Sequence, residues 1–505
     1  MVGRRWRAVA PLALTLILNT NTADAKWIVS PDIGLRELYS DNPTLATTDR
    51  RSDLITQITP AIRVDGSGAR FKASLNYAPS AIFYAHHSSE DRVANSLQAS
   101  GTLEAAEKFF FVDVNGAISQ GFISPLGAQP VDVTTISSNR VESRTYGLSP
   151  YVRGQAGRAF SYELRNRNTW TNTNSSALAN VHATQWAGRA TSPVSLFGWG
   201  LEYDQNEISY TSLDRPDYSS KLYRGRLYFQ PDVDLRLSAS AGREENNYTL
   251  QQQSYYIRGV GALWKPGPRT TAEFEVERRY FGPSRLARLE HRTRLSTWTL
   301  AYSRNGSNYQ QELLRLPAGD TAALLDAIFA ARIPDPAERQ AAVEQFMRSS
   351  GTPAFLSNPL AFYTQQIFLQ ERLEASVAIV GKRNSVIFTG FRSETTSLSS
   401  GAASVVSDAF STGSRFTQRG FGVNASHQLT AFTTLGASVR RTLSRQEEPT
   451  TGDTRNDFLS LSLTQTLSPK TTTFAGLSYT RFDSSPAVSA YGNARSAFVG
   501  LNHRF

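Results

Sequence analysis

The sequence predicts an all-β fold, an antiparallel transmembrane β-barrel of about 22 strands (range about 18–24) with one helical insert. Three observations predict it: an export signal, hydrophobicity of period two through most of the chain, and connections that alternate between short and long. Outer-membrane barrels have short periplasmic turns and longer external loops. A soluble sandwich or propeller would have shorter strands and no reason for its two sets of connections to differ.

The export signal occupies the first 25 residues. Arg4, Arg5 and Arg7 form a basic start, an apolar core runs from Ala8 to Leu18, and Ala23-Asp24-Ala25 is a cleavage site of the A-x-A type. We therefore predict a signal peptide at 1–25 and an outer-membrane β-barrel at 26–505.

Composition agrees with a barrel that is exported to the outer membrane. Mean hydropathy is −0.35, and after the signal no run approaches the roughly 20 apolar residues that a membrane helix needs. The chain has no cysteine, so backbone pairing, a large core or a membrane must hold it together in an oxidising compartment. The formal charge is +10, but the arginines are spread singly along strands, which argues against nucleic-acid binding.

The period-two pattern is clear in the first predicted strand. Its outer face carries Trp27, Val29, Ile33, Leu35 and Tyr39, and its other face carries Asp32, Gly34 and Arg36. The same alternation recurs in segments of roughly ten to sixteen residues. A bilayer requires backbone groups to be paired internally, so a closed barrel with lipid-facing apolar residues and a polar interior satisfies the pattern.

Strand parity depends on the stretch from Leu286 to Arg304, which has the length of one overlong strand. A turn at 293–296 divides it into strands at 284–292 and 297–305. Bacterial single-chain barrels have even strand numbers, and this division makes the count even.

The polar faces predict a lumen wall with charges of both signs, suited to hydrated polar or weakly charged solutes. The candidate lumen-facing residues are Arg158, Glu163, Arg165, Arg224, Arg226, Glu273, Glu275, Glu277, Arg288, Arg292, Arg372 and Glu374.

The period becomes helical at about 310–362. Asp320 can cap a first helix with Leu324, Leu325, Ile328 and Phe329. A second helix is predicted from the cap at Asp335-Pro336-Ala337-Glu338 to Gly351, with an apolar stripe at Ala342, Val343, Phe346 and Met347. By the parity of turns the insert leaves the barrel on the external side. We expect it to enter the lumen as a plug, cap the mouth or bind a partner.

No motif predicts catalysis, a cofactor or a metal. The adjacent pair His86-His87 lies in a polar loop, and adjacent side chains on a strand point apart. Neither a Gly-x-Ser-x-Gly elbow nor a phosphate-binding glycine loop is present. The row from Glu273 to Glu277 is more typical of a solvated wall than of glycosidase acids. We therefore predict a protein that is not an enzyme, with no catalytic, cofactor-binding or metal residues.

The last ten residues predict the closing strand. Phe505, Leu501, Val499 and Ala497 share its outer face, where His503 is an unusual polar member. We expect this strand to pair with the first one and Phe505 to be a signal for the barrel-assembly machinery.

Several further motifs resemble one known family, the PEP-CTERM system-associated outer membrane proteins, which are found beside exopolysaccharide biosynthesis genes of Gram-negative bacteria. The residues that carry the resemblance are Ser30-Pro31 through Glu37-Leu-Tyr-Ser-Asp-Asn42, Ser52-Asp-Leu-Ile-Thr-Gln-Ile-Thr-Pro60, Leu75-Asn-Tyr77, Ser296-Thr-Trp298 through Tyr302-Ser-Arg304, and Pro334-Asp-Pro-Ala-Glu-Arg339. The resemblance covers nearly the whole mature chain and departs from the family only at His503. It implies an outer-membrane β-barrel linked to exopolysaccharide export or a protein-sorting system, and it implies no catalytic residue.

The expected function is therefore a non-enzymatic channel or assembly component in exopolysaccharide export or an exosortase-associated secretion system. The expected partners are outer-membrane lipid, polysaccharide, periplasmic export components and the barrel-assembly machinery. The alternatives are a general porin-like channel for small polar solutes and an outer-membrane hydrolase. A TonB-type receptor would need an N-terminal plug domain, but the strand pattern begins at Trp27.

Overall fold

The computed structural model describes residues 25–124, 126–175, 178–210, 217–248, 251–308, 321–330, 333, 339, 342–343, 367–398, 415–448, 452–485 and 491–505. Apart from Ala25, the predicted signal peptide lies outside these residues.

The described residues form one closed antiparallel β-barrel. Its strand segments are β1 (Lys26–Ser40), β2 (Asp53–Ser67), β3 (Phe71–Tyr77), β4 (Ser80–Tyr84), β5 (Arg92–Ala94), β6 (Leu97–Ala106), β7 (Phe110–Phe122), β8 (Arg140–Ala156), β9 (Phe160–Thr173), β10 (Val181–Thr191), β11 (Phe197–Tyr210), β12 (Tyr218–Asp232), β13 (Leu235–Asn246), β14 (Gln253–Gly267), β15 (Thr270–Arg279), β16 (Gly282–Arg292), β17 (Ser296–Ser307), β18 (Phe368–Val380), β19 (Asn384–Ser397), β20 (Arg415–Gln428), β21 (Thr433–Glu448), β22 (Gly452–Ser468), β23 (Thr471–Ser485) and β24 (Tyr491–Arg504). A short 3-10 helix spans Ser88–Glu90, and an α-helix, α1, spans Thr321–Phe329.

The barrel has 22 strands because two of them are interrupted. Both β3 and β4 pair with β2, and their partners on the other side are β6 and β5. The first of these two barrel strands is broken at 78–79, where Pro79 lacks a backbone donor, and the second is broken at 95–96. The predicted strand number is confirmed, as is the division of the stretch from Leu286 to Arg304 into two strands.

Closure occurs between the first and last strands, as predicted. β1 pairs with β24 from Asp32 opposite Arg504 to Ser40 opposite Ser496. The register places Leu35 opposite Leu501 on the outer face.

Side-chain alternation distinguishes the lumen from the lipid. In β18 the even-numbered residues from Phe368 to Val380 are buried, whereas Leu373 and Ile379 on the opposite face are exposed. The outer face of β1 carries the five apolar residues predicted for it, all exposed. Trp27, Trp264 and Trp298 lie on the outer surface near the same end of the barrel, as in the aromatic belts of membrane proteins. The exposed apolar face is therefore the lipid-facing surface.

The two ends of the barrel differ in their connections. At the end that holds Lys26 and Arg504, every connection has two to five residues. At the other end the connections include 41–52, 123–139 and 308–367, although 280–281 and 449–451 are short. The short-turn end is therefore periplasmic and the long-loop end external, and the protein is a bacterial outer-membrane barrel.

Within the described residues, no helix is both long enough and apolar enough to cross a bilayer.

Helix α1 lies inside the barrel near its periplasmic end. The sequence predicted a helix with Leu324, Leu325 and Ile328. In α1 these three residues are buried, and they form one cluster with the lumen-facing residues Ala378, Val380 and Ile387 and with Val343. Because β18 ends at Val380 beside the short turn 381–383, the insert extends from the external end to the opposite end of the lumen. Most of the predicted second helix, from Asp335 to Gly351, lies outside the described residues.

Candidate functional site in the barrel lumen

The structure places eleven of the twelve predicted wall residues on lumen faces of strands. They lie on β9 (Glu163 and Arg165), β12 (Arg224 and Arg226), β15 (Glu273, Glu275 and Glu277), β16 (Arg288 and Arg292) and β18 (Arg372 and Glu374). Side chains of opposite charge form ion pairs on this wall: Arg165 contacts Asp113 at 2.6 Å and Glu163 at 3.0 Å, and Arg372 contacts Glu374 at 2.7 Å.

Arg158 is the exception, and its predicted lumen position is wrong. β8 continues to Ala156, and β9 begins only at Phe160, so Arg158 lies exposed in the turn 157–159. Gly157 supplies the turn with a positive φ of 58°, a conformation that glycine adopts without a Cβ penalty.

A ladder of ion pairs crosses the lumen face from β11 to β15. Arg224 contacts Glu202 at 2.6 Å and Glu277 at 2.9 Å, and Arg226 contacts Glu275 at 2.7 Å. The side chain of Glu277 is only 3% exposed and that of Arg224 11%. Near the external end, Arg279 donates two hydrogen bonds to Glu244, at 2.7 and 2.8 Å. The charges of this sector are therefore neutralised within the wall itself.

Small residues on the intervening strands make these long contacts possible. β13 and β14 separate β12 from β15, and their lumen faces at this level carry Ser240, Gly259 and Gly261. A Cβ on Gly259 would lie 2.7 Å from the Val276 carbonyl oxygen. The arginine and glutamate side chains therefore meet over a trough with a glycine floor.

A cluster of tyrosines continues the ladder towards the external end. The Tyr248 ring centroid lies 6.1 Å from that of Tyr218 and 5.6 Å from that of Tyr280. Tyr280 in turn lies edge-on to Phe281 at 4.9 Å. Burial raises the pKa of Tyr248 to about 12, so its hydroxyl stays a neutral donor and acceptor. The ladder and the cluster together line a cavity of about 410 Å³.

Residues 123–139, the connection between β7 and β8, fold into the lumen, and we call them the crossing loop. On the near side, Asp132 contacts Arg36 of β1 at 2.8 Å, and Arg92 donates to the Val133 carbonyl at 2.8 Å. The Tyr84 hydroxyl donates to the Thr134 carbonyl at 2.7 Å. Side chains of three strands therefore hold this segment against the wall.

The crossing loop also reaches the far wall. Leu126 packs against Phe368 and Phe416, at the external ends of β18 and β20. The backbone N–H of Gln129 donates to Asn456 of β22 at 3.2 Å. In the ring of 22 strands, β18 lies ten positions from β8 and β20 lies nine from β7, which is almost half the circumference, whereas β22 lies seven from β7. The loop therefore spans the lumen and narrows it.

The Asp132 carboxyl stays ionised in this position. Burial by itself raises the pKa of Asp132, but the Arg36 guanidinium and the hydrogen bonds from Thr134 outweigh burial, and the pKa lies below its ordinary value. The ion pair with Arg36 is therefore fully formed at neutral pH.

Sequence reasoning missed the crossing loop, which it treated as a polar gap between strands. One signal was present: Leu126, Val131, Val133 and Ile136 are more apolar residues than an exposed loop of this length requires. Val133 and Ile136 pack against the buried Leu38, Ile55 and Ile82 cluster.

The His86-His87 pair lies in a loop, as predicted, and both rings approach one carboxylate instead of pointing apart as adjacent side chains on a strand do. Their Nδ1 atoms are 3.4 and 2.6 Å from the carboxylate of Asp53. Asp53 also accepts both of their backbone N–H groups at 3.0 Å, so the pair anchors the loop to β2. In the part of the chain that the structure describes, no three His, Asp or Glu side chains form a metal-binding group.

No protein-family profile matches the sequence, and no curated protein matches it. Similar solved structures include the siderophore receptor PirA from Acinetobacter baumannii (7% identity, 94% of this chain and 80% of that chain, TM-score 0.48). A variant of the ferric enterobactin receptor PfeA from Pseudomonas aeruginosa is 9% identical over 94% of this chain and 80% of that chain, with a TM-score of 0.44. A loop-deletion mutant of OmpT, an outer membrane protein of Vibrio cholerae, is 8% identical over 95% and 99%, with a TM-score of 0.30. At these sequence identities and TM-scores, the similarity to the solved structures carries no information on what this protein transports.

The ladder gives a stability prediction. Replacing Glu277 by Gln should lower the free energy of unfolding by about 2 kcal/mol. The change removes one of the two carboxylates that contact the buried Arg224 closely, leaving Glu202 at 2.6 Å and Glu275 at 3.9 Å, and it also removes charge beside Arg279. The measurement is urea unfolding of the barrel in lipid vesicles. Glu290→Gln is the matched control: Glu290 is 32% exposed and 3.9 Å from Arg288. Its expected loss is below about 0.5 kcal/mol, and equal losses in both variants would contradict a buried ladder.

Proposed function

We propose that this protein is a gated, non-enzymatic outer-membrane channel for hydrated polar chains and that its cargo is an exopolysaccharide. The observation that carries the proposal is the self-neutralised ladder beside the tyrosine cluster. A wall whose arginines and glutamates compensate one another does not select ions of one sign. It does offer many hydrogen-bond donors and acceptors to an uncharged, hydroxyl-rich solute.

The tyrosines support the same cargo. An aromatic ring presents an apolar face and a polar hydroxyl, which suits a sugar ring with its C–H faces and hydroxyl edges. The crossing loop supplies a gate, since it narrows a lumen that in a barrel of this size would otherwise admit large solutes. The choice of exopolysaccharide rests on the resemblance to the PEP-CTERM system-associated outer membrane proteins, which also implies periplasmic export components as partners.

Current block by soluble saccharides tests the proposal. We expect neutral oligosaccharides of six or more sugar units, at about millimolar concentration, to interrupt the single-channel current of the purified barrel in planar bilayers. Polyethylene glycol of equal hydrodynamic radius is the control for simple volume exclusion, because it offers no hydroxyl pattern along the chain. Equal block by both polymers would favour the alternative, a general porin-like channel for small polar solutes.

A further inference from the structure

Three arginines on the outer surface of the barrel lie at its external edge. Arg258 on β14, Arg278 on β15 and Arg285 on β16 are exposed and belong to the lipid-facing side of their strands. Below them on the same faces follow Val260, Val276 and other apolar residues. Arg258 and Arg278 therefore lie directly above the apolar band, and Arg285, which stands opposite Val276, lies at its upper edge. We call these three arginines the row.

The level of this row follows from the length of β15. Its ten residues, at about 3.4 Å each and a tilt of about 45°, rise about 24 Å. The apolar band of outer-membrane barrels is about 25 Å tall. Arg278, one residue from the external end of β15, must therefore lie at the level of the outer-leaflet headgroups.

Within the part of the chain that the structure describes, the three arginines have no protein partner. Among the described residues, none of their side chains forms an ion pair or a hydrogen bond. Arg278 stands directly opposite Arg258 in the β14–β15 pairing, and Arg285 stands directly opposite Arg304 of β17. Arg304 reaches Glu371 at 3.6 Å, the one carboxylate in contact with this set among the residues described.

Like charges directly opposite each other on neighbouring strands destabilise a sheet. Two arginines elsewhere on the outer face are compensated: Arg445 contacts Asp453 and Arg441 contacts Asp457, each at 2.7 Å. The row on β14–β16 therefore keeps a positive charge that an external anion can neutralise.

The surroundings leave the row accessible. The external connection between β15 and β16 is only the pair Tyr280 and Phe281, so that hairpin ends at the level of the row. A shallow groove of about 570 Å³ runs between Arg258, Arg278, Val260 and Val276. The groove combines two guanidinium groups with apolar valine side chains. A ligand with a phosphate group and an acyl chain requires this combination.

We propose that this row is a binding site for a phosphorylated glycolipid of the outer leaflet, with its phosphates held by Arg258, Arg278 and Arg285. Guanidinium groups bind phosphate through paired, charge-assisted hydrogen bonds, and the acyl chains lie along the apolar residues below. The site is independent of the proposed cargo, since it lies on the opposite face of the barrel wall from the ladder.

The test measures lipopolysaccharide bound to the purified full-length barrel in neutral detergent by native mass spectrometry. We expect the variant with Arg258→Gln, Arg278→Gln and Arg285→Gln to bind lipopolysaccharide about tenfold or more weakly than the wild type. The matched control replaces Arg158, Arg269 and Arg294 by Gln; these three are exposed in periplasmic turns. It removes the same charge from the other end and should stay within about twofold of the wild type.

Further measurements decide which chemical group of the lipid is recognised. Lipopolysaccharide stripped of phosphate should bind as weakly to the wild type as intact lipopolysaccharide binds to the triple variant. Equal binding of the stripped lipid would overturn the proposal, as would equal binding of phosphatidylglycerol or tight binding of inorganic phosphate alone. The single variant Arg285→Gln should weaken binding by an intermediate factor. Without lipid, the triple variant should unfold at the wild-type temperature or above, because it relieves repulsion between facing arginines.

Discussion

Replacing residues 126–137 of the crossing loop by a short Gly-Ser linker should raise single-channel conductance about threefold or more, because the loop is the segment that spans the lumen. The loop contacts the near wall through Arg36 and Tyr84 and the far wall through Phe368 and Phe416. Its removal takes away the obstruction, and these wall residues then face water. The barrel should remain closed, since none of its strand pairings involves residues 126–137.

The measurement is conductance of the purified variants in planar bilayers at neutral pH and fixed salt. The control replaces residues 400–411, the same number of residues in another long external connection, by the same linker. A second variant lacks about residues 313–360 of the insert and should also conduct more than the wild type, because helix α1 lies in the lumen near the periplasmic end. Unchanged conductance after removal of the crossing loop would contradict its role as the constriction. An equal rise in the control would assign the constriction elsewhere.

A point variant separates the two ways in which this loop can act. Asp132→Asn removes the ion pair with Arg36 but leaves the loop in place. We expect frequent brief openings rather than a permanently larger current, because the contacts of Leu126 and Gln129 with the far wall remain. Single-channel recordings under the same conditions measure both the loop replacement and Asp132→Asn.

The strand framework could be predicted because it depends on local pattern. Period-two alternation assigns each residue of a strand to lipid or lumen, and parity requires the turn between β16 and β17. The prediction for Arg158 failed for a local reason, because the turn 157–159 includes it and β9 begins only at Phe160. The break at Pro79 escaped notice because the apolar alternation continues on both sides of it.

The site itself could be predicted only in part. The sequence places Arg224 and Glu277 on lumen faces, but their contact crosses two intervening strands and depends on barrel curvature and on Gly259. The crossing loop is harder still to predict, because its partners, from Arg36 to Asn456, are spread over nearly the whole chain. A pattern within one segment contains no information on such contacts.

Deletion of Arg504 and Phe505 should lower the amount of folded barrel in the outer membrane about tenfold, because these residues complete the seam between β24 and its neighbours. The Phe505 N–H donates to the Pro31 carbonyl at 3.1 Å, and the Arg504 N–H donates to the Lys470 carbonyl at 2.8 Å. The Arg504 side chain also donates to Ser30 at 2.8 Å. Without them the ends of β1 and β23 carry unpaired backbone groups at the edge of the membrane.

Folding is measured by the heat-modifiable mobility of the barrel on gels and by its resistance to protease in isolated outer membranes. Arg504→Gln keeps the backbone pairing and should fold at about the wild-type level, and Phe505→Trp keeps an aromatic residue on the outer surface and should do the same.

Phe505→Ala separates the two contributions of the last residue. It preserves the hydrogen bond to Pro31 but removes the exposed ring that contacts His503 at 5.0 Å. Folding as poor as that of the deletion would assign the effect to the aromatic ring, in agreement with a signal read by the assembly machinery. Folding near the wild-type level would assign it to the backbone seam, and normal folding of the deletion itself would contradict both explanations.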